Sequence, residues 1–128
     1  MKLRLLALLP VLALAACKPT ANELKIGVSA PMTGGISATG QSAKNAIALV
    51  QDELNAGGGV KVGEKTLKVR FITEDDEDKP ESTATVFQKL INQDRVVAIV
   101  GSYTSKCSNA GAPIAEAAGI PVVSPRSN

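Results

Sequence analysis

Val96-Val97-Ala98-Ile99-Val100-Gly101-Ser102-Tyr103-Thr104-Ser105 decides the architecture of this chain. The run from 96 to 100 is wholly apolar and rich in β-branched residues, so it has no wet face. That pattern predicts a central parallel strand buried on both sides. Gly101 ends the strand, and four hydroxyl-bearing residues follow before the next helical stretch. A helix is predicted over residues 108–118, stopped by Gly119, and Ile120-Pro121-Val122-Val123 reads as another strand.

The same alternation extends towards the N-terminus. Residues 24–30 form a short apolar run that ends in Pro31-Met32-Thr33-Gly34-Gly35, a strand and its loop. Over residues 41–55, Ala43, Ala46, Ile47, Val50 and Leu54 recur every three or four positions, predicting a helix whose apolar side faces the core. Glycines 57 to 59 stop it, and residues 60–65 predict a tight turn around Gly63. Leu67, Val69 and Phe71 alternate with Lys68 and Arg70, as in a strand with one wet face near a sheet edge. Pro80 suits the first turn of a helix over 80–93, with Ala84, Phe87, Leu90 and Ile91 on one side. The order is βαβαβαβ. It predicts an α/β fold, an open parallel sheet with helices on both faces, whose ligands bind at the carboxyl ends of the strands. The loops there are 31–41, 74–79, 101–107 and 124–128.

Residues 1–16 have a different character. A basic start with Lys2 and Arg4 leads through an apolar stretch to Leu14-Ala15-Ala16, directly before Cys17. The stretch is too short for a membrane-spanning helix, which needs roughly 20 apolar residues, and reads as a lipoprotein signal peptide. Cleavage leaves Cys17 as the lipid acceptor and residues 17–23 as a tether, so the chain is expected outside the cytoplasmic membrane, held to it through lipid. The alternative is an ordinary secretory signal with Cys17 paired to Cys107, the one other cysteine.

Without Lys2 and Arg4, twelve basic side chains balance twelve acidic ones. With three aromatic residues in the chain, Phe71, Phe87 and Tyr103, there is no basic, aromatic-interleaved surface for nucleic acid.

Most of the other constellations fail as catalytic or cofactor sites. Gly35-Ile36-Ser37-Ala38-Thr39-Gly40-Gln41-Ser42 matches a phosphate-binding loop except that Gln41 replaces the lysine that reaches the phosphates. It is expected to be a tight turn that exposes Thr33, Ser37 and Thr39 at a cleft mouth. Glu74-Asp75-Asp76-Glu77-Asp78 lacks the spaced ligands and central glycine of a calcium loop, and predicts a solvated loop with an acid near the second helix. The chain has no histidine and no nucleophile elbow, so Ser102 and Ser105 have no base to activate them. No catalytic residue, cofactor or metal is expected. A binding site remains: Tyr103, Thr104 and Ser105 bring hydroxyls and backbone N–H groups to one strand end, an arrangement suited to a carboxylate, with residues 124–128 beside them.

Leu24-Lys25-Ile26-Gly27-Val28, Pro31-Met32-Thr33-Gly34, Gly40-Gln41, Asn55-Ala56-Gly57-Gly58, Val100 to Ser105 and Ile120 to Pro125 together resemble the N-terminal lobe of the type I periplasmic binding proteins. The branch most similar is that of the branched-chain amino acid binding proteins of ABC transporters. The resemblance implies a flavodoxin-like strand order and a two-lobed receptor that closes on an amino acid or related carboxylate and delivers it to a permease. It implies that Ser105 bonds the ligand carboxylate and that Arg126, Ser127 and Asn128 hold its carboxylate and ammonium; Tyr103, Thr104 and Thr39 join the expected ligand site from the reading of their loops. Arg126 and Asn128 depart from the small residue and threonine of amino acid binders, which puts a branched-chain ligand in question. Acids at 77 and 78, with Cys107 displaced, leave no counterpart of a disulfide that leucine-type binders can carry, so Cys107 is expected to be an unpaired buried thiol. Residues 24–128 are expected to be the N-terminal part of the first lobe, incomplete, with the second lobe absent. The alternatives are the ligand-sensing domain of a signalling receptor or, further off, a secreted enzyme on the same fold.

Overall fold

Leu24 to Ala30 does form the first strand, and it becomes the middle of the sheet. A computed structural model of the chain describes residues 22–126. Cys17, the signal peptide and most of the tether lie outside the described residues, as do Ser127 and Asn128. The elements are β1 (Glu23–Ala30), α1 (Ser37–Ala56), β2 (Val60–Val62), β3 (Lys65–Asp75), α2 (Pro80–Asn92), β4 (Ala98–Val100), α3 (Ser105–Ala117) and β5 (Val122–Val123). The sheet order is β2-β3-β1-β4-β5. β1 pairs in parallel with β3 and β4, β4 with β5, and β2 alone is antiparallel, paired to β3. The flavodoxin-like order therefore holds, with one addition. The predicted turn at Gly63 is the tip of a hairpin, and β2 rather than β3 is the sheet edge.

Strand alternation separates the two faces. Ile72 of β3, Ile99 of β4 and Val122 of β5 pack with Phe87, Leu90 and Val86 of α2 and Ala115 of α3. Gly111 lets α3 close on α2, since a Cβ there would come within 2.6 Å of Phe87 Cζ. The opposite parity, Phe71 and Thr73, faces α1, with Ile47, Ala48 and Gln51 around a space of about 140 Å³. Polar bonds fix α1 there: the Asn55 side chain both donates to Val69 C=O and accepts from Val69 N–H, each at 2.8 Å, and Gln51 accepts from Phe71 N–H at 2.8 Å. Pro80 opens α2 as predicted, with Glu81 in its first turn and Lys89 in its last, both matched to the helix dipole.

Several expectations are corrected. The 96–100 run is not buried on both faces, because Val97 is 49% exposed and helices cover one side of it. The apolar repeat of α1 is not a buried stripe: Val50 and Leu54 are exposed, as is Ala46, because this helix packs mainly over β3. α1 starts at Ser37, not at 41, and α3 at Ser105, not at 108. The first of these shifts has a steric reason. Gly40 sits against the Pro31 carbonyl, where any Cβ would collide, so the glycine read as a turn residue is a contact point inside a helix.

Candidate functional site

β1 connects through α1 to one side of the sheet and β4 connects through α3 to the other, so a crevice opens between their carboxyl ends. A cavity of about 500 Å³ lies there, open to solvent and lined by Ala38, Thr39, Ser42, Ala43 and Ala46 of α1 and by Tyr103. The volume is within the range of small-molecule sites. Thr39 and Tyr103, from distant parts of the sequence, share this wall. The small residues between them escaped sequence reading, because Ala43 and Ala46 at helical spacing look like core. Burial, and secondly the charge of Asp76, push the Tyr103 phenol above its ordinary value and keep it a neutral hydrogen-bonding group at neutral pH.

The loop from β4 to α3 needs Gly101. Its φ of +121° disfavours a side chain, and a Cβ would strike the Ser29 carbonyl oxygen. Ser105 is the first residue of α3 and half-buried, at the helix end that favours an anion. Thr104 is its N-cap residue, but its hydroxyl donates to Asp78 Oδ1 at 2.7 Å rather than to the helix backbone. Asp78 also pairs with Lys106 at 2.9 Å and accepts the Cys107 thiol at 3.7 Å. Burial raises the Asp78 carboxyl, but the bonds from Thr104 and Lys106 outweigh it and hold the group below its ordinary range. Cys107 is a free, buried thiol, as expected. Arg126 is exposed just beyond β5.

The acidic run is not the solvated loop that the sequence predicts. Asp75 Oδ1 accepts the N–H groups of Met32 at 2.8 Å, Thr33 at 3.3 Å and Glu77 at 2.9 Å, while Oδ2 accepts the Thr33 hydroxyl at 2.6 Å. Burial raises this carboxyl as well, yet the Thr33 hydroxyl and the three amides prevail and lower it. Asp76 is fully buried, Glu74 pairs with Lys89 of α2, and Glu77 pairs with Lys79 at 2.9 Å. Adjacent acids separate in role because β3 ends here, so each side chain meets a different neighbour. Among the described residues no group of three or more His, Cys, Asp or Glu is arranged to hold a metal ion.

A flavodoxin-ordered sheet with a cavity at its switch point defines an α/β architecture that carries many functions, and comparison with known proteins places the chain further. Residues 23–128 match the periplasmic binding protein family, and the chain belongs to it. A Leu/Ile/Val-binding protein homolog of Brucella melitensis is 31% identical over 121 residues, 94% of this chain and 29% of that protein. Among solved structures, the branched-chain amino acid transporter substrate binding protein LivJ of Streptococcus pneumoniae, in complex with isoleucine, is 30% identical with a TM-score of 0.75, over 84% of this chain and 30% of that one. A solute binding protein of an ABC transporter from Rhodopseudomonas palustris, in complex with 3,4-dihydroxybenzoic acid, is 32% identical with a TM-score of 0.70, over 83% of this chain and 28% of that one. The chain thus spans less than a third of the length of these relatives.

Proposed function

We propose that the intact protein is an extracytoplasmic solute receptor that binds an amino acid or related small carboxylate between two lobes and delivers it to an ABC transporter permease. The observation that carries this reading is the cavity at the switch point, walled by Thr39 and Tyr103 beside the N-terminal end of α3 at Ser105. Isoleucine and 3,4-dihydroxybenzoic acid, bound by two relatives, share only a carboxylate as a recognition group. A helix N-terminus with hydroxyls suits that group. Ser105 is its anchor in this reading, with Arg126, Ser127 and Asn128 contributing donors around it and Thr104, its hydroxyl held by Asp78, offering its backbone N–H. Binding rather than catalysis is the role read for this site: the chain has no histidine, and the carboxylates that accept the Ser29, Thr33 and Thr104 hydroxyls tie the loops together.

In the same reading residues 1–16 are a removed signal, Cys17 carries the lipid, residues 17–23 are the tether, and residues 24–128 are part of the first lobe. Growth with labelled fatty acid should label the wild-type protein and not Cys17→Ala. For the ligand site, calorimetry on the intact protein with isoleucine and with 3,4-dihydroxybenzoate is the test. A charge-assisted hydrogen bond contributes about 1.5 to 3 kcal/mol, so Ser105→Ala should weaken binding roughly tenfold or more. Unchanged affinity would reduce Ser105 to a helix-terminal residue.

A further inference from the structure

Beneath the cavity wall runs a line of three buried side chains that ligand contact alone does not require. Ser29 near the end of β1, Asp76 just after β3 and Ser102 just after β4 are each 0% exposed. Ser29 Oγ donates to Asp76 Oδ2 at 2.7 Å and lies 2.9 Å from Ser102 Oγ. A serine has one hydroxyl hydrogen, and that of Ser29 goes to the acid. Ser102 must therefore donate to Ser29, and the acid sets the direction of both bonds. Asp76 is itself held by the Asp78 N–H on Oδ1 at 3.1 Å and through its own N–H to the Ala30 carbonyl at 3.1 Å.

The other end of the line is equally fixed. The Ser102 carbonyl accepts the hydroxyls of Ser108 at 3.3 Å and Ser124 at 2.7 Å, and the Gly101 N–H donates to the Val123 carbonyl at 2.9 Å. Ser102 is thus gripped from β1 and β3 by its side chain and from α3 and the segment after β5 by its carbonyl. No ion pair neutralises Asp76 among the described residues. Lys106 feels the charge of Asp76 but bonds to Asp78, and a buried carboxylate that no cation touches is costly to desolvate, so a neutral side chain would fill the same space at lower cost. The acid is explained by the direction that it imposes.

We infer that Ser29, Asp76 and Ser102 are positioning residues, a buried relay that holds the 102–105 loop in the conformation that receives the ligand. None of the three reaches the cavity, so the relay acts through Tyr103, Thr104 and Ser105. Its consequence for affinity rests on the solute-receptor reading, whereas its effect on the loop does not.

Two measurements on the intact protein keep these apart. Asp76→Asn retains size and places an amide donor against Ser29, which reverses the relay. Ser29→Ala cuts it and serves as the second variant if the first does not fold. Hydrogen exchange is followed at Gly101 and Ser108, whose amides are held by the Val123 and Thr104 carbonyls, with Leu90 in α2 as the internal reference. Exchange at Gly101 and Ser108 should quicken at least fivefold while Leu90 stays within twofold, and isoleucine or 3,4-dihydroxybenzoate should bind at least fivefold more weakly. Unchanged loop exchange overturns the inference, as does equal acceleration at Leu90, which would mark general destabilisation. Faster loop exchange with undiminished affinity overturns the positioning role. If neither probe binds the wild type, the receptor reading fails for those ligands, and the exchange comparison still decides whether the relay holds the loop.

Discussion

Replacing Asp75 should separate the two contributions that fasten the loop after β1. Asp75→Ala removes the acceptor for three backbone N–H groups and one hydroxyl. The bonds to Met32 and Glu77 are partly buried, and each should contribute about 1 to 1.5 kcal/mol. The two from Thr33 are exposed and recover water, so together they add no more than about 0.5 kcal/mol. The expected loss is about 2 to 3.5 kcal/mol at pH 7. Asp75→Asn keeps an oxygen for the amides and loses charge assistance, so roughly 1 kcal/mol is expected. The pH dependence has a definite sign. A carboxyl lowered in the folded state stabilises above its unfolded value, and the benefit is lost as pH falls through the folded value, hence below about pH 4. Urea unfolding of wild type, Asp75→Ala and Asp75→Asn at pH 7 and at pH 3 is the assay. The gap between wild type and Asp75→Asn should narrow at pH 3. An Asp75→Ala loss below 0.5 kcal/mol at pH 7, on the scale of a surface substitution, or a gap independent of pH, would refute the reasoning.

Two further outcomes follow from the packing. Phe87 is fully buried between α2, α3 and the sheet, so Phe87→Ala should cost about 3 to 5 kcal/mol in a denaturant titration. Gly40→Ala should push the first turns of α1 away from the Pro31 carbonyl and so move the wall that carries Thr39; ligand affinity in the intact protein should drop by more than the melting temperature implies, as read by calorimetry alongside a thermal melt.

Much of the fold was legible because it is written in short-range pattern. The apolar runs at 24–30, 96–100 and 120–123, the Pro80 helix start and the glycine stops at 57–59 each depend on neighbours a few positions away. Alternation of strand and helix then restricts the sheet to a mostly parallel one, and the sequence order alone puts Thr39, Tyr103 and Ser105 after the carboxyl ends of its strands, where Thr39 and Tyr103 line a cavity and Ser105 opens α3. Tertiary structure alone decided which of five successive acids enters the interior. Ser29 meets Asp76 across 47 residues and Ser102 across 73, and no local pattern encodes such contacts. The same applies to α1: Ala43 and Ala46 carry the spacing of a core face, yet they line an open cavity because the helix lies over β3 and leaves the strand ends beside it uncovered. Periodicity tells that a side of a helix is apolar or small, and only the placement of the neighbouring elements determines whether that side meets a core or a ligand.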